Sequence, residues 1–471
     1  MAIFFNAGQE AVRPGVYQRY TQKESDNFVG AIDGVCAIAV QANWGPLGTV
    51  TSHETAKSIT DTYGDGGTVS AALAMLKGGA RTVHICRVGS GGAKATISLS
   101  SGSSGTASIT AKYEGTLPLS VSLQPKVGDS TKKVFTVYRD TEQVEKFEFA
   151  TSETDDIAAL IAAVDAKGSK YVTVSSSGTG VLTTVTNQAL TGGTNPTTTN
   201  ASYSTAWELL EPYPYNTIAV DTDETSTMEK STLLIEYLNV AYQSGKLCMA
   251  VVGVPTSVSF DNRILKARTL NSERVVFLGG GFVNADGENV DGALAVCQTA
   301  GTIAATPANQ SIIHTVVNGA ADTIEKLTHS QYEEAISNGM LMLSCSADGQ
   351  VWYDSGVNTL VAPTENQDKG WKKIRRVKTR FEMMDRIDRA LAPKIGKINC
   401  DNDGLSYIIQ VAQGVLLDMV GEKKLQTGPT VNIDPDYPAT EDSAWFVIDA
   451  VDIDSLERIY LHYQFRLSQE A

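Results

Sequence analysis

The chain has 471 residues, of which 42% are hydrophobic and 19% are charged, and its formal net charge is -15 at pH 7. This length supports two or three domains with their own cores, whereas the acidic balance argues against a nucleic-acid partner, because phosphate binding requires a basic face. The apolar runs are shorter than the roughly 20 residues needed to cross a bilayer, so we also expect no membrane insertion.

The first 20 residues predict an extended N-terminal arm. Pro14 fixes one backbone dihedral, Gly15 frees the next, and no helical periodicity surrounds them. Residues 1–7 have neither the cationic head nor the long apolar stretch of a signal peptide. We therefore expect a protein that is made and kept in the cytosol.

Residues 21–90 predict the first part of an α/β domain. Residues 35–41 form a continuous apolar run, which is typical of a strand covered on both faces. Val69, Leu73 and Leu76 share one face of a predicted helix, which ends at the glycine pair 78–79. Residues 82–88 predict the next strand.

At Gly89 the composition becomes rich in Ser, Thr and Gly, and it stays so until about residue 200. We predict a small β-rich domain over residues 91–201, inserted in a loop of the first domain. Ser152 and Asp155 form a capping pair for its one predicted helix. We interpret residues 89–93 and 191–201 as low-complexity linkers. The predicted strands are residues 94–99, 107–113, 119–123, 134–139, 144–149 and 171–175.

The α/β pattern resumes over residues 202–362. Apolar strands alternate there with amphipathic helices, which favours a mainly parallel sheet covered on both sides. The predicted strands are residues 217–221, 247–252, 274–278, 340–345 and 351–354, and the predicted helices lie near 233–241, 262–271, 290–304 and 330–337.

Residues 363–458 predict a C-terminal α+β assembly domain, which follows a polar linker at 363–370. Two helices and a strand at 445–451 precede the C-terminal arm, residues 459–471. The predicted fold class is α/β multidomain. It comprises a mainly parallel α/β domain with an inserted small β-rich domain, plus a C-terminal α+β domain with extended N- and C-terminal arms.

The C-terminal arm carries an alternating apolar row. Leu461, Tyr463, Phe465 and Leu467 alternate with polar residues, and a period of two predicts a strand with one buried face over residues 456–467. Such a terminal strand either completes its own sheet or lies along the open edge of another molecule's sheet. We hypothesise that both arms join subunits.

The search for a catalytic, cofactor-binding or metal site finds none. The five histidines form no spaced pair, and the six cysteines are scattered through apolar stretches, so we expect reduced thiols. Residues 279–281 are three glycines after a predicted strand, but Asn284 stands where a dinucleotide-binding motif needs its third glycine, so a tight turn is favoured. The acidic loop 284–291 lacks the ligand spacing of a calcium-binding loop.

A basic run opens the C-terminal domain of this acidic chain. One interpretation is the solvated start of a helix, partly neutralised by Glu382, Asp385 and Asp388 at helical spacing. The other is a basic face for an acidic protein partner, where complementary charge sets register and association rate. The residues of the run are Lys372, Lys373, Arg375, Arg376 and Lys378.

Several motifs, in this order along the chain, resemble contractile-tail sheath proteins. They are Arg-Pro-Gly-Val-Tyr at 13–17, Trp-Gly-Pro at 44–46, Tyr-Gly at 63–64, Gly-Gly-Ala-Arg-Thr-Val-His-Ile-Cys-Arg-Val at 78–88 and Val-Asp-Ile-Asp-Ser-Leu-Glu-Arg-Ile-Tyr at 451–460. The ending is similar to sheaths of phages, defective prophages and R-type bacteriocins of Gram-positive bacteria. The resemblance does not extend to the inserted region.

This resemblance implies subunits that form hexameric rings, stacked helically around a rigid inner tube protein and joined by exchanged arms. Contraction would drive the tube through a target envelope. When the family's inter-subunit arms are mapped onto this sequence, the C-terminal strand comprises Ile459, Tyr460, Leu461, Tyr463, Phe465 and Leu467. The N-terminal arm comprises Ile3, Phe4, Phe5, Pro14, Gly15, Val16 and Tyr17.

The resemblance also implies baseplate and tail terminator partners, assembly in the bacterial cytoplasm, and a place in the tail of a phage or phage-like particle. We extrapolate from charge that the basic run faces the tube. Two other classes remain open at this stage. One is an α/β nucleotide-binding enzyme that uses the glycines at 279–281, and the other is a surface-layer or adhesive protein that uses the inserted region.

Overall fold

The computed structural model describes residues 33–101, 105–152 and 154–465, together with the backbone of residues 3–4 and 17–18. The two short N-terminal segments, β1 (Ile3–Phe4) and β2 (Tyr17–Gln18), pair with each other in parallel. The central domain begins with β3 (Val35–Val40), β4 (Val50–His53), α1 (Ala56–Tyr63), α2 (Val69–Lys77) and β5 (Thr82–Arg87).

The remaining elements follow in three groups. The inserted domain contains β6 (Thr96–Ser100), β7 (Thr106–Ala111), β8 (Leu119–Lys126), β9 (Asp129–Arg139), β10 (Glu142–Ala150), α3 (Asp156–Lys167), β11 (Val172–Ser177) and β12 (Val185–Ala189). The central domain resumes with α4 (Asn200–Leu210), β13 (Thr217–Ala219), α5 (Glu229–Gln243), β14 (Met249–Gly253), α6 (Phe260–Leu270), β15 (Val275–Leu278), β16 (Phe282–Asn284), β17 (Asn289–Val290), α7 (Gly292–Ala305), β18 (Ala320–Thr323), α8 (His329–Ser337), β19 (Met340–Leu341), β20 (Leu343–Cys345) and β21 (Val351–Tyr353). The C-terminal domain contains α9 (Ile374–Leu391), α10 (Asn402–Gly421), β22 (Thr430–Ile433) and β23 (Phe446–Asp449), with short 3-10 helices at Lys369–Lys372 and Ala392–Lys394.

A seven-stranded sheet in the order β19-β15-β14-β13-β3-β5-β4 forms the centre of the molecule. Its pairings are parallel except for β4, which runs antiparallel to β5 at one edge. All six residues of β3 are buried, and alternate ones enter the two hydrophobic cores on opposite faces of the sheet. The prediction of a mainly parallel sheet covered on both sides is therefore confirmed.

Helices α2 and α7 pack backbone to backbone on one face of this sheet. A methyl group added at Gly301 would lie 2.1 Å from the carbonyl oxygen of Met75, and one added at Gly78 would lie 2.0 Å from that of Gln298. Only glycine permits so close an approach at these two points, so the register of the two helices is fixed there.

Two sheets form the inserted domain and share one core with α3. Their orders are β10-β9-β8-β12 and β11-β7-β6. The predicted helix begins after Asp155, whose carboxylate accepts hydrogen bonds from the amides of Ile157 and Ala158. The linker interpretation of the domain's two ends is wrong. Residues 90–96 and 191–197 pair with each other through antiparallel bridges, and α4 already begins at Asn200.

Arg87 fastens the inserted domain to the central sheet. It is buried at the end of β5 and donates hydrogen bonds to the carbonyl oxygens of Ala42, Gly45 and Glu114, at 2.7 to 3.1 Å. Trp44, from the turn in between, packs into the inserted domain's core. The junction thus satisfies its buried guanidinium with main-chain oxygens from both domains.

The C-terminal domain is held together by a buried ion network as well as by apolar contacts. Arg386 of α9 donates two hydrogen bonds, of 2.7 and 2.8 Å, to Glu422, which follows α10. Arg386 also pairs with Glu382, and Lys424 contacts both carboxylates. This network joins the two helices to the segment that leads into β22.

Candidate assembly interface

Residues 456–465, which include most of the alternating row, form no strand in this structure. The prediction of a strand over residues 456–467 is therefore wrong for the described part of the isolated chain, because no strand edge pairs with it there. Ile459, Tyr460, Leu461, Tyr463 and Phe465 are 69–91% exposed. Residue Leu467 lies outside the described residues. The segment was predicted either to complete a sheet of its own subunit or to lie along the sheet of another molecule. Over residues 456–465 it does not pair with a sheet of its own subunit.

The root of the C-terminal arm is held by ion pairs at Asp452. Its carboxylate accepts a hydrogen bond of 2.7 Å from Nη2 of Arg376 and a second, shorter one from Nε, and it contacts Nη2 of Arg380 at 3.1 Å. Arg380 also reaches Asp368 at 2.7 Å. Two planar guanidinium groups thus converge on one carboxylate whose side chain is only 7% exposed.

Lys373 extends this contact along the chain. Its Nζ lies 2.6 Å from Asp454 and 2.9 Å from Glu457. A main-chain hydrogen bond lies beside the ion pairs: the amide of Ile453 donates to the carbonyl oxygen of Lys424 at 2.9 Å. We call this set the root clamp; its members are Lys373, Arg376, Arg380, Asp452, Asp454 and Glu457.

The root clamp lowers the pKa of Asp452. Burial alone raises the pKa of this carboxyl, but the hydrogen bond from Arg376 and the charges of both arginines outweigh burial, so the pKa lies below its usual range. The hydrogen bond to Asp452 correspondingly raises the pKa of Arg376. The carboxylate therefore stays charged in the folded chain over the neutral range.

The side chains of the basic run have partners within the subunit, so their charge is not free for an outside partner, and the tube-facing assignment remains a prediction. Lys373 and Arg376 belong to the root clamp, Lys372 donates to the carbonyl of Val361 at 2.6 Å, and Arg375 is buried and donates to the carbonyl of Asn309 at 3.0 Å. The partners of Lys373, Arg375, Arg376 and Lys378 lie 66 to 81 positions away in the sequence, where local patterns give no signal of them.

Lys378 is half-buried at the carboxyl end of α7. Its Nζ donates to the carbonyl oxygens of Ile303, at 2.6 Å, and of Thr306, and thereby satisfies helix-end acceptors that α7 leaves unpaired. Burial lowers the pKa of Lys378 to about 8. This contact ties α9 to the central domain.

Strands β22 and β23 form a two-stranded antiparallel sheet in the C-terminal domain. Among the described residues neither strand has a second partner strand, so the outer edge of each presents main-chain donors and acceptors. An isolated two-stranded hairpin is marginally stable in water. We call this pair the acceptor hairpin. Residues 430–433 were not predicted as a strand, because a four-residue segment after Gly428-Pro429 gives too short a pattern.

The predicted N-terminal arm is described only at β1 and β2. The side chains of Ile3, Phe4 and Tyr17, and the whole of Phe5, Pro14, Gly15 and Val16, lie outside the described residues. The prediction that these residues join subunits therefore remains a prediction.

The place where an α/β sheet of this order would bind a ligand is filled by side chains of the chain itself. The direction of strand order reverses between β3 and β13, whose carboxyl ends normally flank a ligand crevice. Asp221 is buried there and accepts hydrogen bonds from Thr68, from the Tyr203 hydroxyl at 2.8 Å and from the Gln41 amide at 3.3 Å. Burial raises the pKa of Asp221 in spite of these bonds.

The glycines at 279–281 form a packed turn. A methyl group at Gly279 would lie 2.3 Å from the sulfur of Met340, and the Gly279 carbonyl accepts a hydrogen bond from Arg263. In the acidic loop, the side-chain oxygen of Asn284 closes a hairpin, because it accepts hydrogen bonds from the amides of Asp286 and Glu288 at 3.0 and 2.9 Å. Over the residues that the structure describes, no cluster of three or more His, Cys, Asp or Glu side chains is placed to hold a metal ion.

All six cysteines are free, as predicted. One described helix, α10, is long and apolar enough to span a membrane by length and composition alone. The expectation that apolar runs fall short of 20 residues is therefore wrong for this helix, Asn402–Gly421, although core helices of soluble proteins can have the same length and composition.

Solved structures of sheath proteins share this fold. The sheath tail protein of Desulfitobacterium hafniense superposes with a TM-score of 0.71 at 20% identity, over 93% of this chain and 100% of that one. The anti-feeding prophage helical sheath in its contracted state superposes with a TM-score of 0.51 at 12% identity, over 97% of this chain and 99% of that one. At these identities the likeness concerns the fold.

Sequence comparisons identify the family. The phage-like element PBSX protein XkdK of Bacillus subtilis is 22% identical over 98% of each chain. The family model for the phage tail sheath protein beta-sandwich domain matches residues 90–195, and that for the phage tail sheath protein central domain matches residues 197–359. The two adjacent matches together cover more than half of the chain. The chain therefore belongs to the phage tail sheath protein family, as a structural subunit of a contractile tail sheath.

Proposed function

We propose that this subunit polymerises by placing its C-terminal arm on the acceptor hairpin of a neighbouring copy. The observation that carries this proposal is that the C-terminal domain contains both an arm with no strand partner and a sheet with unpaired edges. An arm with an exposed, alternating apolar row leaves the root clamp, and a two-stranded sheet with open edges lies beside it. The sheet edge offers main-chain hydrogen-bonding groups to the arm, and the arm offers a strand to the sheet edge.

The energy of such a contact is sufficient for assembly. A strand of about eight residues forms about four to six main-chain hydrogen bonds, each contributing roughly 1 kcal/mol net. Burial of its four large apolar side chains adds roughly 1.5–3 kcal/mol each when complete. Ordering a free arm offsets part of this gain, but a lattice repeats the contact at every subunit.

The N-terminal arm has a parallel role in this proposal. Residues Ile3, Phe4, Phe5, Pro14, Gly15, Val16 and Tyr17 would extend the same inter-subunit connection from the other end of the chain. Two arms in each subunit permit both neighbours within a ring and neighbours in the next ring to be connected. We propose that these connections build hexameric rings stacked helically around an inner tube protein, as the family resemblance implies.

Contraction is a change of lattice rather than a reaction. The paired arms would stay paired while the globular bodies rotate about flexible joints, such as Gly428, whose φ is +93°. The extended lattice would then be a kinetically trapped state, and new contacts between the bodies would lower its free energy. The filled switch point at Asp221 supports a structural subunit that needs no nucleotide.

The domain division that we propose assigns a place to each part. Residues 21–90 and 202–362 form the body, the inserted residues 91–201 lie on the outside, and residues 363–458 carry the assembly contacts between the arms, 1–20 and 459–471. The subunits would assemble in the bacterial cytoplasm, on a baseplate and up to a tail terminator protein. A relative in the anti-feeding prophage has been imaged in a baseplate and in a helical sheath, which supports a baseplate partner here.

Deletion of residues 459–471 tests the proposal. The truncated chain keeps the root clamp, which ends at Glu457, so it should fold like the full chain in a thermal melt. It should form no tubular polymers by negative-stain microscopy. The control is the double variant His462→Ala, Gln464→Ala, which leaves the apolar row intact and should polymerise. Tubes formed by the truncated chain would refute the arm proposal.

A further inference from the structure

A cleft of about 720 Å³ lies where the C-terminal domain meets the central domain. One wall is a face of α9, and the other wall is formed by the segments that lead into β13 and β14, with Asp33 just before β3. Pockets of about 300–1,000 Å³ hold drug-sized ligands, so the cleft has room for a small organic molecule. We call it the domain cleft.

Carboxylates outnumber ammonium groups in the lining of the domain cleft. Two of its four carboxylates, on Asp33 and Asp388, form no ion pair with another described residue. The two lysines of the lining, Lys246 and Lys378, donate to main-chain carbonyl oxygens instead, at 3.0 and 2.6 Å. The lining therefore carries an excess of negative charge. Its carboxylates belong to Asp33, Glu382, Asp385 and Asp388.

Glu382 gives a second, independent indication of a cationic ligand. Its side chain is only 8% exposed, and its Oε1 pairs with Arg386 and Lys424. Its Oε2 is also buried and accepts no hydrogen bond from the described residues, although Glu382 lines the domain cleft. A buried carboxylate oxygen without a donor is unfavourable, because its desolvation is not compensated. An N–H donor bound in the cleft would supply that hydrogen bond.

The carboxylates are spread along the cleft rather than gathered at one point. Over the part of the chain that the structure describes, no three His, Cys, Asp or Glu groups are placed to hold a metal ion. Glu382 and Asp388 are separated on α9 by a rise of about 9 Å, at 1.5 Å per residue. Apolar side chains share the lining with them, and this distribution favours an extended cation with an apolar middle over a metal ion. The apolar members include Leu247, Met249, Phe381 and Met384.

Two aromatic rings of the lining already lie under cations. Nζ of Lys246 lies 4.0 Å from the centroid of the Tyr215 ring, and the guanidinium carbon of Arg274 lies 4.2 Å from that of the Tyr242 ring. Ring faces attract ammonium and guanidinium groups through the ring quadrupole. The domain cleft therefore combines carboxylates, aromatic rings and aliphatic surface, which together suit an alkylammonium ligand.

We infer that the domain cleft binds a linear aliphatic diamine or polyamine, whose ammonium groups pair with carboxylates on both walls and whose methylene chain lies over Phe381 and Met384. Asp33 belongs to the central domain and Asp388 to the C-terminal domain, so the bound cation joins the two domains. Lys378 opposes a second cation less than an ordinary lysine does, because burial lowers its pKa to about 8. The inference goes beyond arm exchange and does not depend on it, since the cleft lies within one subunit.

Titration calorimetry of the full chain with hexamethylenediamine tests the inference. The diamine should bind, and hexanediol, which has the same length without charge, should not. Asp388→Asn should weaken diamine binding at least about tenfold, which is the loss expected for one charge-assisted hydrogen bond. Asp388 is exposed, so this variant should melt like the wild type. The matched control, Asp418→Asn, removes the same charge from an exposed position on α10 outside the cleft and should bind like the wild type.

A tethered cation gives a second readout. Met384 lines the cleft and is 39% exposed, so Met384→Lys places an ammonium group among the carboxylates. This variant should lose diamine binding and should melt at a higher temperature than the wild type. Leu417→Lys adds the same charge at an exposed apolar position on α10 outside the cleft, and it should keep wild-type binding.

The outcomes separate this inference from arm exchange. Equal diamine binding by the wild type, Asp388→Asn and Met384→Lys would show attraction by the net charge of the chain alone and would overturn the inference. Absence of diamine binding, or equal affinity for hexanediol, would also overturn it. Diamine binding that disappears when the subunits polymerise would assign the cleft to a basic side chain of a neighbour instead. None of these results bears on arm exchange, which the truncation of residues 459–471 tests.

Discussion

Replacement of Asp452 by asparagine should loosen the root of the C-terminal arm without altering its shape. Asp452 makes three charge-assisted contacts with Arg376 and Arg380. Removal of one partner from a buried ion pair costs about 3–5 kcal/mol, since the remaining charge is left uncompensated. Here Arg380 retains Asp368, and the asparagine oxygen still accepts a hydrogen bond, so we expect a cost of about 2–3 kcal/mol.

Hydrogen exchange measures this cost locally. The amides of Ile453 and Gln426 are bonded to main-chain carbonyls beside the clamp, and they exchange when it opens. A loss of about 2–3 kcal/mol should speed their exchange roughly 30- to 160-fold, if opening limits it. The control is Asp449→Asn, which removes the same charge from an exposed position on β23. Wild-type protection in Asp452→Asn would refute the clamp as the element that holds the arm's root.

The pH dependence of the clamp follows from the sign of the shift. Because the pKa of Asp452 is lower in the folded chain than in the unfolded one, the clamp contributes its full stability above the unfolded value, about 3.9. That contribution decreases as the pH falls through the folded pKa. The difference in protection between wild type and Asp452→Asn should therefore narrow below about pH 4, and a difference that stays constant down to unfolding would contradict this assignment.

Three further comparisons test the packing of the chain. Arg386→Met should lower the free energy of unfolding by about 3 kcal/mol, whereas Arg389→Met, whose ion pair is one-third exposed, should cost less than about 1 kcal/mol; equal urea midpoints would contradict this difference. Gly301→Ala should lower the thermal midpoint because its methyl group would meet a carbonyl of α2, while Gly414→Ala, in open space on α10, should raise stability by about 0.5–1 kcal/mol. Since the pKa of Lys378 is lowered to about 8, wild-type stability should rise between that pH and about 10.4, and Lys378→Met should lose this rise in denaturant titrations.

The central sheet could be predicted from local patterns because its strands are uniformly apolar. Residues 35–40, 82–87 and 275–278 read as buried strands, and the structure has strands at each. Helix α4 was missed because its Ser- and Thr-rich start resembles the Thr-rich segment before it, and both suggested a linker. Its signals were nevertheless present, as Thr199 forms a capping box with Ser202.

The candidate interface was less predictable, because it depends on contacts between distant residues. The basic run suggested a surface for a partner, but Asp452, Asp454 and Glu457 neutralise part of it from some 80 positions later in the chain. The alternating row predicted a strand that the described residues 456–465 do not form in this subunit, because a strand requires an edge to pair with. Sequence periodicity describes a face and does not identify the molecule that covers it.

The most direct test of arm exchange is a cryo-EM reconstruction of the assembled sheath at a resolution that traces the main chain through residues 446–467. The account predicts that residues 459–467 of each copy continue, as a strand, on the acceptor hairpin of a different copy, with the root clamp intact. A reconstruction in which these residues return to their own subunit in a complete sheath would contradict it.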